Sequence, residues 1–129
     1  PALVNWPGVL EPRVVDEVTS VLDLYPTLAT LAGGEIDDAW RLEGRNIWPL
    51  LTGEADVPET VLYWKSYNGR RVAVRSENWK LVVDRQSGET ELFDMQNDPY
   101  EESNLADDHP ERVQTLTVLL DRNEALDAD

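Results

Sequence analysis

The sequence predicts an α+β fold: a four-stranded antiparallel meander packed by a C-terminal helix and preceded by a strand, a loop and a helix. Three observations predict it. Four β-type runs follow one another between residues 61 and 95 with short connections, which is typical of a meander. A helical apolar period follows them in residues 110–120, and another precedes them in residues 23–32.

The first element is a short apolar run, Ala2–Trp6, closed by the turn signal Pro7-Gly8. It predicts a buried strand or the exit from one. A strand that begins at the first residues also leads us to expect a chain cut from something longer. Residues 35–60 read as a loop with one short apolar turn around Ile47–Leu51.

The first helix is predicted over Asp23–Ala32, with Asp23 as its N-cap and Gly33-Gly34 as its stop. Pro26 falls in the first turn, where the missing N–H costs nothing. Three leucines repeat at helical spacing and predict one apolar face: Leu24, Leu28 and Leu31.

The meander comes next. Its predicted strands are Val61–Tyr67, Arg70–Ser76, Trp79–Asp84 and Thr90–Met95. Asn68-Gly69 predicts a two-residue hairpin turn, because both residue types accept a positive φ. One face of the sheet is expected to carry six apolar side chains: Leu62, Trp64, Val72, Val74, Leu81 and Val83.

The last helix begins after a polar loop. Asp108 with Glu111 resembles a capping box, and Pro110 fits inside the first turn. An apolar stripe predicts that this helix covers the meander: Val113, Leu116 and Leu120. Acids near its C-terminal end oppose the helix dipole and predict fraying there: Asp121, Glu124, Asp127 and Asp129.

The net charge of the chain disfavours some classes of binding partner. Twenty-six acids against 11 bases give a net charge of −15, which disfavours nucleic acid and anionic membranes as partners. The sequence has no cysteine, so disulfides, cysteine-ligated metals and a cysteine nucleophile are excluded. No apolar run approaches the roughly 18 residues of a membrane span, and no signal peptide is recognisable. We expect a soluble chain of unknown compartment.

The sequence offers few residues that could be catalytic or bind a metal ion. The single histidine, His109, lies beside the predicted helix cap, and we favour a surface or capping role over a catalytic one. Asp94, Gln96 and Asp98 resemble the start of a calcium loop. Pro99 stands at its sixth position and Leu105 at its twelfth, so a polar turn is the better interpretation.

A basic cluster and several aromatic residues remain. The cations are Lys65, Arg70, Arg71, Arg75 and Lys80. They either meet an anionic ligand or pair with the abundant acids, and we favour pairing. Trp6, Trp48 and Trp79 are interpreted as core, whereas Trp64 and Tyr67 either line a cleft or pack inside.

Five phrases of sequence occur in order along the chain. They are Pro1–Gly8; Leu22–Leu28 with Leu31–Gly33; Leu42–Asn46 with Pro49–Gly53; Val72–Arg75 with Trp79–Val82; and Glu91–Met95 with Asp98–Glu101 and Asn104–Ala106. Together they resemble the C-terminal part of a sulfatase of the arylsulfatase type, in the alkaline-phosphatase-like superfamily. The chain departs slightly at Leu42-Glu43-Gly44, where that family tends to have Leu-Asp-Gly.

The resemblance implies a division of labour. Sulfatases use a formylglycine made from a Cys/Ser-x-Pro-x-Arg motif and a cation, usually calcium, both in an upstream α/β portion. This chain has no such motif, so no catalytic residue and no metal ligand is carried over to it. Residues 1–60 would be the trailing segment of the α/β domain and residues 61–129 a C-terminal α+β subdomain. Four residues are candidates for the rim of the cleft: Trp64, Tyr67, Arg71 and Arg75.

Three hypotheses follow. The first is a sulfatase fragment that supports a missing N-terminal portion, is inactive alone, and self-associates through residues 1–35. The second is a self-contained acidic interaction module without catalysis. The third, ranked last, is a small hydrolase with an Asp/Glu pair, which requires a cleft and a raised pKa.

Overall fold

The computed structural model describes residues 2–56, 58 and 60–126. The chain divides into two compact units, Pro1–Pro58 and Glu59–Asp129. Each unit is described by itself below.

The first unit contains helix α1, Leu24–Leu31, which continues a 3₁₀ turn at Val21–Asp23. Pro26 lies in the first turn of α1, as predicted. Gly33 adopts a φ of +79° directly after the helix, a conformation that glycine accepts without strain, so the predicted stop is confirmed.

Asp23 has a different role from the predicted N-cap. Its side chain makes no capping bond to α1. Instead its Oδ2 accepts a hydrogen bond from the Ser20 amide at 2.8 Å and its Oδ1 accepts one from the Arg45 amide at 2.9 Å. Ser20 caps the 3₁₀ turn. The buried Asp23 carboxylate therefore ties the start of α1 to a loop that lies 22 residues away.

Thr27 and Gly44 complete this polar contact. The Thr27 hydroxyl donates to the carbonyl of Asp23 at 2.6 Å and accepts from the Ile47 amide at 3.0 Å. A Cβ at Gly44 would lie 2.0 Å from the carbonyl oxygen of Leu22, so only glycine permits this backbone approach. Helix α2, Trp48–Thr52, follows and ends at Gly53, whose φ is +76°.

Ala2–Trp6 forms no strand, contrary to the prediction. A strand is stable only when its N–H and C=O groups pair with a neighbouring strand, and these residues have none within the described part of the first unit. Trp6 is also not a core residue. It is 46% exposed and its ring lies 5.6 Å from that of Trp48, centroid to centroid.

The second unit is built on a sheet in the order β1-β2-β3-β4, with every neighbouring pair antiparallel. Its strands are β1 (Leu62–Lys65), β2 (Arg71–Ser76), β3 (Trp79–Asp84) and β4 (Thr90–Asp94). The predicted meander is confirmed.

The register decides which side chains share a face. Tyr63 pairs with Val74, Val74 with Leu81, and Leu81 with Leu92. Cross-strand partners lie on the same face, so Tyr63 lies on the core face, and Leu62 and Trp64 lie on the other. The prediction that placed Leu62 and Trp64 with the core was wrong, because three successive apolar residues in β1 hide the alternation.

Helix α3, Pro110–Leu126, covers the core face as predicted. The core consists of six buried side chains: Val72, Val74, Leu81, Leu92, Leu116 and Leu120. Fully burying one such side chain contributes roughly 1.5–3 kcal/mol. This cluster is therefore the main source of stability in the second unit.

The loop between β1 and β2 is longer than the predicted two-residue turn. Ser66 and Arg71 are joined by a backbone hydrogen bond of 2.8 Å, which leaves residues 67–70 as the loop. Gly69 has a φ of +67°, and its amide donates to the carbonyl of Ser66. Asn68 stabilises the loop through its side chain, because its Oδ1 accepts a hydrogen bond from the Arg70 amide at 3.1 Å.

The start of α3 also differs from prediction. The His109 carbonyl accepts from the amides of Arg112 and Val113, so His109 and not Asp108 occupies the cap position. At the other end, Arg85 donates to Asp121 at 3.1 Å and also to Glu124. These bonds offset the repulsion between the acids and the helix dipole. α3 ends at Leu126, and the fraying of its end stays a prediction. Asp127 and Asp129 lie outside the described residues.

Candidate functional site

Three of the four rim candidates, Trp64, Arg71 and Arg75, lie on one face of β1 and β2, whereas Tyr67 lies in the loop at the end of β2 away from Arg75. Trp64 on β1 pairs with Ala73 on β2, so it shares a face with Arg71 and Arg75. Tyr67 lies in the β1–β2 loop and is fully exposed. That Arg71 and Arg75 share a face follows from the alternation of β2 and agrees with the prediction. Their assignment to a cleft rim stays a prediction.

Three of the five cations, Arg70, Arg71 and Lys80, pair with acids, as the sequence favoured. Arg70 Nε donates to Asp84 Oδ2 at 2.8 Å and Arg71 Nη2 to Glu91 Oε2 at 2.6 Å. Lys80 Nζ lies 2.5 Å from Glu101 Oε1. Among the described residues, the one hydrogen bond of the Arg75 side chain is long, at 3.4 Å, and goes to the carbonyl of Glu77. The pairs at Arg70 and Arg71 leave other guanidinium nitrogens available to a ligand.

A shallow depression lies between the β1–β2 loop and the β3–β4 loop. We call it the dish. It has a volume of about 380 Å³ and is lined entirely by polar residues: Ser66, Asn68, Arg70, Arg71, Asp84 and Glu89.

Asp84 anchors the base of the dish. It is buried, and its Oδ1 accepts from the amides of Ser87 and Gln86 at 3.1 and 2.9 Å. The bond from the Ser87 amide, together with those from Gln86 and Arg70, holds the pKa of Asp84 below its usual range. Asp84 is therefore a structural carboxylate that stays ionised at neutral pH.

The Asp94–Asp98 segment is a polar turn. Asp94 Oδ2 accepts from the Asn97 side chain at 2.7 Å, and Asp98 accepts from the amides of Glu102 and Ser103. The Asn97 bond is the main cause of a lowered pKa at Asp94, and the Glu102 bond is the main cause at Asp98. Both carboxylates bind local N–H groups of the turn.

His109 is only partly exposed. Its ring lies 5.1 Å from that of Trp79, and Arg112 lies 5.6 Å from the centroid of the same indole. The imidazole thus packs on the side of Trp79. This contact at the start of α3 replaces the solvent-facing position expected from sequence.

Sequence reasoning missed most of the dish. Ser66 and Asn68 were seen only as turn residues, and Asp84 only as the end of a strand. No local pattern in the sequence links the two loops, because they belong to separate hairpins. The available signal was the antiparallel order itself, which brings the β1–β2 and β3–β4 loops to the same end of the sheet.

Comparisons with known proteins place this fold. The matching family model is described as N-sulphoglucosamine sulphohydrolase, C-terminal, and it covers residues 1–126. The chain belongs to this sulfatase family. Arylsulfatase K of Gallus gallus is 33% identical over 93% of this chain and 24% of its own length. Arylsulfatase A of Bos taurus is 33% identical over 92% of this chain and 29% of its own length.

A solved 2-O GAG sulfatase is also similar. It is 28% identical, with a TM-score of 0.65 over 83% of this chain and 25% of that one. The chain therefore spans about a quarter of the length of these sulfatases.

The reactive groups implied by the sulfatase resemblance, formylglycine and calcium, do not fit the residues described here. The sequence contains no Cys/Ser-x-Pro-x-Arg motif from which formylglycine could be made. Within residues 2–56, 58 and 60–126, no group of three or more His, Cys, Asp or Glu side chains is arranged to hold a metal ion. No catalytic step is assigned to this chain. In the same residues no helix is both long and apolar enough to cross a membrane.

Proposed function

We propose that the chain serves as the C-terminal portion of a sulfatase-type sulfuric ester hydrolase, where it supports the catalytic portion and forms part of the cleft rim. The observation that carries this proposal is the family match over residues 1–126, in a chain that spans about a quarter of its relatives. The formylglycine and calcium would belong to the rest of such a protein. The chain alone is then inactive.

The side chains present also support the proposal that the chain is inactive by itself. Hydrolysis of a sulfate ester needs an activated nucleophile and positive groups that stabilise the developing charge. The one histidine packs against Trp79, and the cations of the sheet are mostly paired with acids. The histidine therefore contacts a tryptophan and the cations contact acids. These side chains do not converge on one point where a sulfate ester could react.

The rim role is assigned to Trp64, Tyr67, Arg71 and Arg75. Trp64 and Tyr67 expose large aromatic surfaces, and the two arginines lie on the same face as Trp64. Exposed aromatic and arginine side chains are the residue types enriched where surfaces bind partners. In this role they contact substrate or the catalytic portion without taking part in bond breaking.

Self-association through residues 1–35 is the third part of the proposal. Several apolar side chains there are exposed, among them Leu3, Val14, Val21 and Leu28. Exposed apolar patches favour association, while the charge of −15 opposes it. Salt screens the charge, so sedimentation should show more dimer at high salt. Leu28→Lys should reduce the dimer, and Leu126→Lys in the second unit should not.

Turnover of an aryl sulfate by the purified 129-residue chain, with and without added calcium, tests inactivity. We expect no hydrolysis above the uncatalysed rate, whereas an intact arylsulfatase under the same conditions turns over. Sustained calcium-dependent turnover by the chain alone would overturn the proposal.

A further inference from the structure

The dish is a preformed polar site. Its base is fixed by backbone bonds: the Arg85 amide donates to the carbonyl of Arg70 at 2.7 Å, and the Gly88 amide to that of Asp84 at 2.8 Å. The first bond joins the two loops that form its walls, and the second closes the β3–β4 loop on itself. A ligand therefore meets a site whose geometry already exists, which lowers the entropic cost of binding.

Five of the six lining side chains make hydrogen bonds that hold them in place. Asn68 Oδ1 accepts from the Ser66 hydroxyl at 2.9 Å and from the Arg70 amide, so its NH₂ group remains a donor. Arg70 uses Nε on Asp84. In the part of the chain that the structure describes, its two terminal nitrogens make no hydrogen bond, and the Glu89 carboxylate makes none either.

Charge decides the class of ligand. The lining contains two bases, Arg70 and Arg71, and two acids, Asp84 and Glu89, so its formal charges cancel. The chain as a whole carries −15, which repels anions. The site offers amide and guanidinium donors beside a carboxylate acceptor. A neutral ligand with several hydroxyl groups satisfies both, because each hydroxyl donates and accepts.

We propose that the dish binds an uncharged sugar ring through its hydroxyl groups, with Tyr67 covering an apolar face of the ring. In the sequence, Tyr67 lies between the lining residues Ser66 and Asn68. Its side chain is fully exposed, so its aromatic surface is available to a ligand. The dish is shallow and open to solvent, with a volume of about 380 Å³, so it would contact one side of a ring and leave the other side free. The proposal rests on the proposed function only in treating Tyr67 and Arg71 as part of a substrate-binding rim.

A nuclear magnetic resonance titration of the ¹⁵N-labelled 129-residue chain tests this. The probes are methyl β-D-glucopyranoside, methyl β-D-galactopyranoside and sodium sulfate. We expect at least one glycoside to produce saturable shifts at the Asn68 side-chain amide and the Arg70 and Arg71 amides. Tyr67→Ala should weaken this binding about fivefold, the effect of one aromatic contact.

The matched control is Tyr100→Ala, because Tyr100 is also highly exposed but lies in the loop after β4. It should leave the affinity unchanged. Saturable shifts with sulfate but with neither glycoside, no saturable shift with any probe, or equal effects of the two tyrosine variants would each overturn the proposal. None of these outcomes depends on aryl sulfate hydrolysis, so failure here is distinguishable from failure of the proposed function.

Discussion

The two units bury their apolar side chains to very different extents. Among the described residues, the second unit buries eight apolar side chains, whereas the first buries three, Pro26, Ile47 and Leu50. The first unit instead depends on polar contacts around Asp23 and Thr27. Burial of apolar surface is the dominant favourable term in folding, so the second unit should be the more stable of the two.

The contrast is sharpest in the two main helices. α3 directs Leu116 and Leu120 into the core of the sheet. α1 carries an equally regular stripe, yet Leu24, Leu28 and Leu31 are exposed by 46%, 61% and 36%. Both patterns read as buried faces in sequence, but only one finds a surface to cover within its own unit. This difference agrees with a chain whose first unit is completed by something else.

The largest effect is expected in the core of the second unit. Leu120→Ala removes a side chain with 0% exposure and should lower the free energy of unfolding by about 3 kcal/mol. Urea unfolding followed by tryptophan fluorescence measures this. Leu126→Ala, on the same helix but 67% exposed, should change it by less than about 0.5 kcal/mol. Equal losses would mean that this cluster is not the main source of stability.

The next effect should be confined to the first unit. Asp23→Ala leaves the Ser20 and Arg45 amides without their acceptor, at a cost of about 2 kcal/mol. Hydrogen exchange should accelerate in residues 18–50 and stay unchanged in residues 62–126. Asp37→Ala, which removes a solvent-exposed bond to the Ala39 amide, should have little effect. Equal acceleration in both units would contradict the separation of the two.

The third effect is on pH dependence. The Glu102 and Ser103 amides keep the pKa of Asp98 below the ordinary value of 3.8. Its contribution to stability is therefore complete above that value and is lost as the pH falls through the lowered pKa. Asp98→Asn should be less stable than the parent at pH 7, and the difference should shrink below about pH 4.

Thermal unfolding from pH 7 to pH 2.5 measures this effect, with Glu102→Gln as the control because it leaves the Asp98 carboxylate intact. A difference between Asp98→Asn and the parent that stays constant over this range would contradict the role of Asp98 ionisation.

The smallest effect should be a gain. Glu77 has a φ of +53° in the β2–β3 turn, a conformation that asparagine tolerates better than glutamate. Its ion pair with Arg112 is exposed and long, at 3.7 Å, and so contributes little. Glu77→Asn should raise the free energy of unfolding by about 0.5 kcal/mol. Glu102→Asn, at an ordinary φ, should not, and a loss at both positions would refute the strain argument.

Local patterns predicted most of the second unit. The strands and α3 were recognised because their apolar periods are clear, and Pro26 and Gly33 located the ends of α1. The face of β1 was missed because Leu62, Tyr63 and Trp64 are all apolar, so only pairing with β2 settles it. The Asp23–Arg45 contact and the dish were also missed, since each joins segments that no local pattern connects.

Hydrogen exchange of the 129-residue chain, at a concentration where sedimentation shows a monomer, tests the central claim most directly. That claim is that the second unit is complete by itself and the first is not. It predicts slow exchange in the sheet and α3, within residues 62–126, and much faster exchange in α1 and the loop around Arg45. Equally slow exchange in both would contradict the account and favour a self-contained module.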